Sequence, residues 1–143
     1  MPPTPQTVIS ASPEATWALA AELLQRYPVG TVFALHGELG AGKTCLVQGF
    51  AAALDTQEVA ASPTYTLINE YHGSATLYHI DLYRISGSEE ALAMGLEEYL
   101  EPAGYTAIEW AERAPDLMPE DTVHITLAAG DTPEERIIHI ASK

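Results

Sequence analysis

Apolar residues recur along this chain at two different spacings, and the switches between them delimit the predicted elements. The segment SPEATWALAAELLQRY, opened by a capping Ser12 and by Pro13 at the first helical position, is apolar-periodic and predicts a helix ending near Tyr27. Residues 31–36 (TVFALH) are a mostly apolar run between Gly30 and Gly37, too brief for a helix, and read as a buried strand. After a glycine-rich turn, KTCLVQGFAAAL returns to helical spacing as far as about Leu54. Strand, glycine turn and helix in that order make the first half of a βα unit.

Further on, TYTLINEY and ATLYHIDLY flank His72-Gly73-Ser74, which predicts a hairpin. Ser88 followed by EEALAMGLEEYL predicts one capped amphipathic helix, and YTAIEW after Gly104 predicts another short buried strand. The stretches VHITLAA and RIIHIAS around Gly130-Asp131 predict a second hairpin. An order that mixes βα units with hairpins implies an α/β sandwich, with a sheet parallel at its centre and antiparallel at its edges.

Composition narrows the class. A chain of 143 residues is the size of one domain over residues 1–143, with no repeat, linker or low-complexity tract. It can bury roughly two-thirds of its extended surface, enough for a core without staples. At 47% hydrophobic and 18% charged it reads as globular rather than disordered or fibrous. The single cysteine, Cys45, excludes an internal disulfide and a cysteine-rich zinc site, which suits a reducing cytosol.

Six Lys+Arg against 20 Asp+Glu give a net charge of −14, too few cations for a phosphate-backbone patch. No direct RNA or DNA binding by the chain alone is therefore expected, and any nucleic-acid role runs through a partner. The start MPPTPQTVIS lacks a basic region followed by an apolar one, and no apolar run approaches the roughly 18 residues of a membrane span. A cytoplasmic location without membrane attachment is the expectation.

The chemistry concentrates in Gly37-Glu38-Leu39-Gly40-Ala41-Gly42-Lys43-Thr44, which fits the phosphate-loop pattern of Gly, four residues, then Gly-Lys-Thr. Its glycines let backbone N–H groups turn toward phosphate oxygens, the helix start adds its positive dipole end, and Lys43 reaches the outer phosphates. Thr44 supplies a hydroxyl for Mg²⁺. Lys43 and Lys143 are the only lysines, so Lys43 is not one of many on a lysine-coated surface.

A phosphate loop needs a carboxylate nearby, because Mg²⁺ takes oxygen ligands. Asp81 after LYHI and Glu109 after TAI both stand where apolar strands end, and such ends border the binding crevice of α/β sheets; each also fits a solvated strand-end acid. Thr64 in SPTYT fits a γ-phosphate-sensing switch threonine, or a turn that merely starts a strand. Trp110 fits a cover for the nucleotide, a partner contact or a core aromatic. His36, His79, His124 and His139 all fall on predicted strands without metal spacing, and structural or surface roles are expected for the histidines.

GELGAGKT, SPTYTL, YHIDLYR, EEALAMGLEEYL and IEW in this order resemble the TsaE (YjeE) family of small bacterial ATPases needed to make threonylcarbamoyladenosine in tRNA; the resemblance covers about residues 12–136. It implies a P-loop α/β fold, ATP and Mg²⁺ as cofactors, and TsaD-like and TsaB-like partners that carry the transferase reaction on tRNA. ATP hydrolysis would drive or reset their cycle. By position, the resemblance implies phosphate binding by the loop from Gly37 through Lys43 and Thr44, with Mg²⁺ on Thr44 and Glu109. It also implies Lys43, Asp81 and Glu109 as catalytic groups and Thr64 as a switch. Two positions depart from the family pattern: Cys45 stands where a second Thr is usual, and Ala111 where Pro often follows the Glu-Trp pair.

Rival functions leave signatures to compare. A GTPase would read guanine through Asn-Lys-x-Asp, which two lysines at 43 and 143 cannot supply. A small-molecule kinase would close an arginine-rich lid, yet Arg26, Arg84, Arg113 and Arg136 are dispersed along the chain. An ATP-gated interaction subunit that does not hydrolyse remains compatible with the acidic composition.

Overall fold

The computed structural model describes residues 5–38, 41–56, 68–100 and 104–142. Leu39, Gly40 and Thr64, and with Thr64 the whole SPTYTL segment, lie outside the described residues. The chain runs β1 (Gln6–Ser10), α1 (Pro13–Arg26), β2 (Val32–His36), α2 (Lys43–Ala53), β3 (Ile68–His72), β4 (Thr76–Asp81), α3 (Ser88–Ala93), α4 (Leu96–Tyr99), β5 (Tyr105–Glu109), β6 (Val123–Ala129) and β7 (Arg136–Ser142). Two 3-10 turns, Ala111–Arg113 and Pro115–Leu117, lie between β5 and β6.

The seven strands form one sheet in the order β1-β7-β6-β2-β5-β4-β3. Strands β6, β2, β5 and β4 are parallel, while β3 on one side and β7 and β1 on the other are antiparallel. This is the mixed α/β sheet expected, with a parallel centre and antiparallel edges. The parallel strands bury both faces, which is why residues 32–35 of β2 read as an unbroken apolar run.

Alternation along the strands divides the core. Phe33, Leu35, Leu77, Tyr105 and Ala107 pack against Leu19, Leu23, Leu46, Val47 and Phe50 of α1 and α2. Val32, Ala34, Ile80 and Ile108 pack on the opposite face with Leu82, Ile85, Ala91 and Leu96. Helices α1 and α2 press close together at Gly49, where a Cβ would come within 2.7 Å of the Ala20 Cβ and 2.9 Å of the Trp17 Cα. Phe33 stacks on Phe50 at 4.9 Å between ring centroids, tying α2 to the central strand.

Several boundaries follow local chemistry. Ser12 caps α1 by accepting a bond from the Ala15 N–H at 3.1 Å, with Pro13 in the first turn. The helix predicted after Ser88 is a correction: it is two short pieces, broken where Gly95 takes a left-handed φ of 87°. Its N-cap is Gly87, and Ser88 instead donates its hydroxyl to Asp116. Strand β1 was not anticipated from MPPTPQTVIS, because its pairing with β7 is supplied from the far end of the chain, in the register Gln6↔Ile140. Among the described residues, no helix is long and apolar enough to cross a membrane.

Candidate active site at the ends of the parallel strands

Strand β2 ends at His36, and the chain turns through Gly37 to enter α2 at Lys43. Gly37 has a φ of 146° and passes so close to β6 that a Cβ would stand 2.5 Å from the Leu127 carbonyl oxygen. Only glycine fits that approach. The N-cap of α2 is Gly42 at φ 104°; it provides no side-chain cap, and no acidic residue lies in the first turn. The leading N–H groups of α2 have no acceptor within the helix, so this end is receptive to an anion.

Lys43 is only 4% exposed. Its Nζ donates to the Gly37 carbonyl at 2.5 Å and lies 4.1 Å from the centroid of the Trp110 ring. Among the described residues it makes no ion pair. Burying a cation without an anion is unfavourable, so the ammonium is poised for an anionic partner. Thr44 follows it, half-buried, in the same first turn. Cys45 comes next, its thiol held above the usual range chiefly by burial, against the lowering effects of a hydrogen bond with Trp17 and the charge of Arg136.

Asp81 and Glu109 are the last residues of β4 and β5 and stand directly opposite one another in the parallel register. Leu35 of β2 pairs with Glu109, which brings this carboxylate beside the start of the glycine loop. Like charges opposite one another repel. Burial, first, and the Glu109 charge raise the Asp81 carboxyl above the ordinary aspartate range; the Tyr83 N–H, His79 and Lys43 oppose the shift. Asp81 Oδ1 accepts from the Tyr83 N–H at 2.9 Å. Glu109 is 4% exposed, and its Oε2 is bonded to Nε2 of the fully buried His79 at 2.5 Å.

The structure thus brings Gly37, Gly42, Lys43, Thr44, Asp81 and Glu109 to one end of the parallel strands. Glu38, whose carbonyl accepts from the Ala41 N–H at 3.0 Å, belongs to the same turn. Thr64, Leu39 and Gly40 fall outside the described residues. Trp110 is neither a fully buried core aromatic nor a free surface ring. It adopts a left-handed φ of 60°, uncommon for a bulky side chain, and its ring lies between Lys43 and Tyr83, 5.0 Å from the latter's ring centroid.

Four residues around the site escaped the sequence reading. His79 was expected to be structural or superficial, yet it touches Glu109; its position two residues before Asp81 on one strand, hence on the same face, was the available signal. Arg136 lies beside Gly42, its Nε 3.4 Å from where a Cβ would be, although it is 94 positions further along the chain. Tyr83 and Arg113 complete the wall around Trp110, with Arg113 Cζ 5.9 Å from the Tyr83 ring. A separate pocket of about 560 Å³ lies on the other side of β2, where His36 bonds both Glu112 at 2.9 Å and His124 at 3.0 Å.

Comparison with known proteins agrees with this arrangement. The model of the family described as threonylcarbamoyl adenosine biosynthesis protein TsaE matches residues 10–138. A tRNA threonylcarbamoyladenosine biosynthesis protein TsaE from Treponema pallidum is 44% identical over 82% of this chain and 86% of its own length. The protein of the same name from Bacillus subtilis is 38% identical over 88% of this chain and 80% of its own. The crystal structure of Bacillus subtilis YdiB matches with a TM-score of 0.80 at 32% identity, covering 100% of this chain and 88% of that one. With a family model matched over nearly the whole chain and a full-length structural likeness, the chain belongs to the TsaE family.

Proposed function

We propose that this chain binds ATP with Mg²⁺ at the loop of residues 37–44 and hydrolyses it, as a cytoplasmic component of the machinery that makes threonylcarbamoyladenosine in tRNA. TsaD-like and TsaB-like proteins are its partners. The observation that carries the reading is Lys43: a buried ammonium at an uncapped helix start, without an ion pair among the described residues and within electrostatic reach of Asp81, which is paired in register with Glu109. A polyphosphate satisfies the ammonium and the helix end together. The names of the relatives, all in threonylcarbamoyladenosine biosynthesis, support the pathway.

The donor set fits Mg²⁺. Two carboxylates side by side, one of them raised in part by the other, are relieved by a small divalent cation. Mg²⁺ usually takes one or two protein carboxylates and fills its shell with water and phosphate oxygens. Glu109 and the Thr44 hydroxyl would hold the ion; when bound, it supplies neutralising charge to the phosphate oxygens.

The remaining chemistry belongs to the chain. Lys43 exchanges its bond to the Gly37 carbonyl for phosphate oxygen, and the leading α2 N–H groups donate to the phosphate oxygens. Asp81, at the edge of the site and half-buried, orients the attacking water. Thr64 senses the terminal phosphate. Hydrolysis is slow in the isolated chain and rises when a partner completes the site, as an arginine supplied in trans does for other phosphate-loop enzymes. At −14 the chain contacts tRNA through its partners rather than directly.

Turnover of ATP measured with and without purified TsaB and TsaD homologues tests the reading. Stimulation by the partners supports it. Tight ATP binding with no turnover in either condition would instead make the chain an ATP-gated interaction subunit, and phosphoryl transfer to a small molecule would make it a kinase.

A further inference from the structure

We infer that His79 is a positioning residue that reserves one oxygen of Glu109, leaves the other to the cation, and so tunes the site to a small octahedral ion rather than Ca²⁺. The inference rests on the proposed role of Glu109 as a metal-holding carboxylate.

His79 is fully buried, and its Nε2 stands 2.5 Å from Glu109 Oε2. Its Nδ1 is also buried and has no hydrogen-bond partner among the described residues. A carboxylate can only accept, so the proton of the short bond sits on Nε2. The geometry therefore places an N–H at Nε2, and Glu109 Oε2 is engaged by it.

Register explains how the two meet. His79 pairs with Ala107 and Asp81 with Glu109, so His79 and Glu109 are diagonal neighbours on one face of adjacent parallel strands. Asp81 is handled the same way, since its Oδ1 is engaged by the Tyr83 N–H. Each carboxylate at the strand ends has one oxygen bound by the protein itself.

A carboxylate oxygen already held in a short hydrogen bond is the poorer ligand of the pair, so Glu109 is biased toward meeting a cation through its other oxygen. Ca²⁺ commonly draws six to eight oxygens, often from bidentate carboxylates, while Mg²⁺ keeps near-ideal octahedral geometry and retains waters. Holding Glu109 to a single oxygen thus favours the smaller ion. Groups bonded behind a metal-holding side chain contribute about 10- to 100-fold to metal affinity when present.

Three variants of the full chain and one measurement on the parent test this. In the metal-free parent, nitrogen-15 NMR of the His79 ring should show a proton on Nε2, slow to exchange. A protonated Nδ1 with bare Nε2 overturns the inference without any mutation. Calorimetric titration of ATP with Mg²⁺ and with Ca²⁺ then compares the parent with His79→Leu, His79→Gln and Glu109→Gln, each checked for folding by circular dichroism. His79→Leu should lose about 10- to 100-fold in Mg²⁺-dependent ATP affinity and narrow the Mg²⁺ preference over Ca²⁺. His79→Gln, which restores an N–H donor, should recover part of both. A folded His79→Leu with the parent's affinity and ion preference overturns the positioning role. Unchanged Mg²⁺ dependence in Glu109→Gln overturns the reading of Glu109, and this inference with it.

Discussion

Removing the charge of Lys43 should separate binding from folding. Its ammonium donates to the Gly37 carbonyl and lies over Trp110. A hydrogen bond from a charged group contributes about 1.5–3 kcal/mol, and a partly desolvated cation–π contact about 0.5–2 kcal/mol. Against these stands the burial of an ammonium that is 4% exposed and has no ion-pair partner among the described residues, which costs several kcal/mol. The opposing effects nearly cancel, so Lys43→Met, which keeps the apolar stem, should change unfolding free energy by no more than about 1 kcal/mol in either direction. With ATP bound the balance differs. Truncating one member of a buried charged pair costs about 2–5 kcal/mol, and at 1.4 kcal/mol per decade that weakens ATP binding roughly 30- to 3,000-fold. Calorimetric titration with ATP, paired with a urea unfolding curve of the nucleotide-free protein, measures both quantities. Affinity within threefold of the parent, at unchanged stability, would refute the argument that this ammonium waits for phosphate.

The other predictions follow from the same geometry. Thr44→Ala should lose the Mg²⁺ dependence of ATP binding more than the affinity measured without metal, because the backbone N–H groups of α2 remain; equal stimulation of variant and parent by Mg²⁺ in a titration would count against it. Asp81→Asn should lower partner-stimulated turnover with ATP affinity nearly unchanged, whereas Glu109→Gln should weaken Mg²⁺-dependent affinity; the reverse pattern exchanges the two roles. Asp81→Asn should also raise the melting temperature of the nucleotide-free protein near neutral pH. The Asp81 carboxyl titrates above its unfolded value, so stability falls as pH rises between the unfolded and folded values, and the charged form carries that cost at higher pH. The gain should vanish in melts taken below the ordinary aspartate range, and a gain that persists there would refute this origin.

The local elements were legible because their causes are local. Ser12 and Pro13 start α1, an apolar run between glycines makes β2, and turn residues set the two hairpins. The pattern from Gly37 to Thr44 was visible for the same reason, since glycines and a lysine at fixed spacing lie within one stretch of chain. Gly95 shows the limit of such reading: helical spacing ran through it, but its left-handed backbone ends one helix and caps the next. Strand β1 had no local signature that outweighed the prolines before it, and its partner lies at the opposite end of the sequence.

The sequence by itself determined the βα unit, the mixed character of the sheet and the chemistry available at Lys43, Thr44, Asp81 and Glu109. Tertiary structure alone decided which of these groups face one another. The register of β4 on β5 sets Asp81 against Glu109 and brings His79 within bonding distance of that glutamate. The turn after β5 swings Trp110 over Lys43, and β7 carries Arg136 back beside Gly42. Strand register and loop path depend on packing summed over both faces of the sheet, where a shift of one residue moves every side chain to the other face. No single stretch of sequence records that sum.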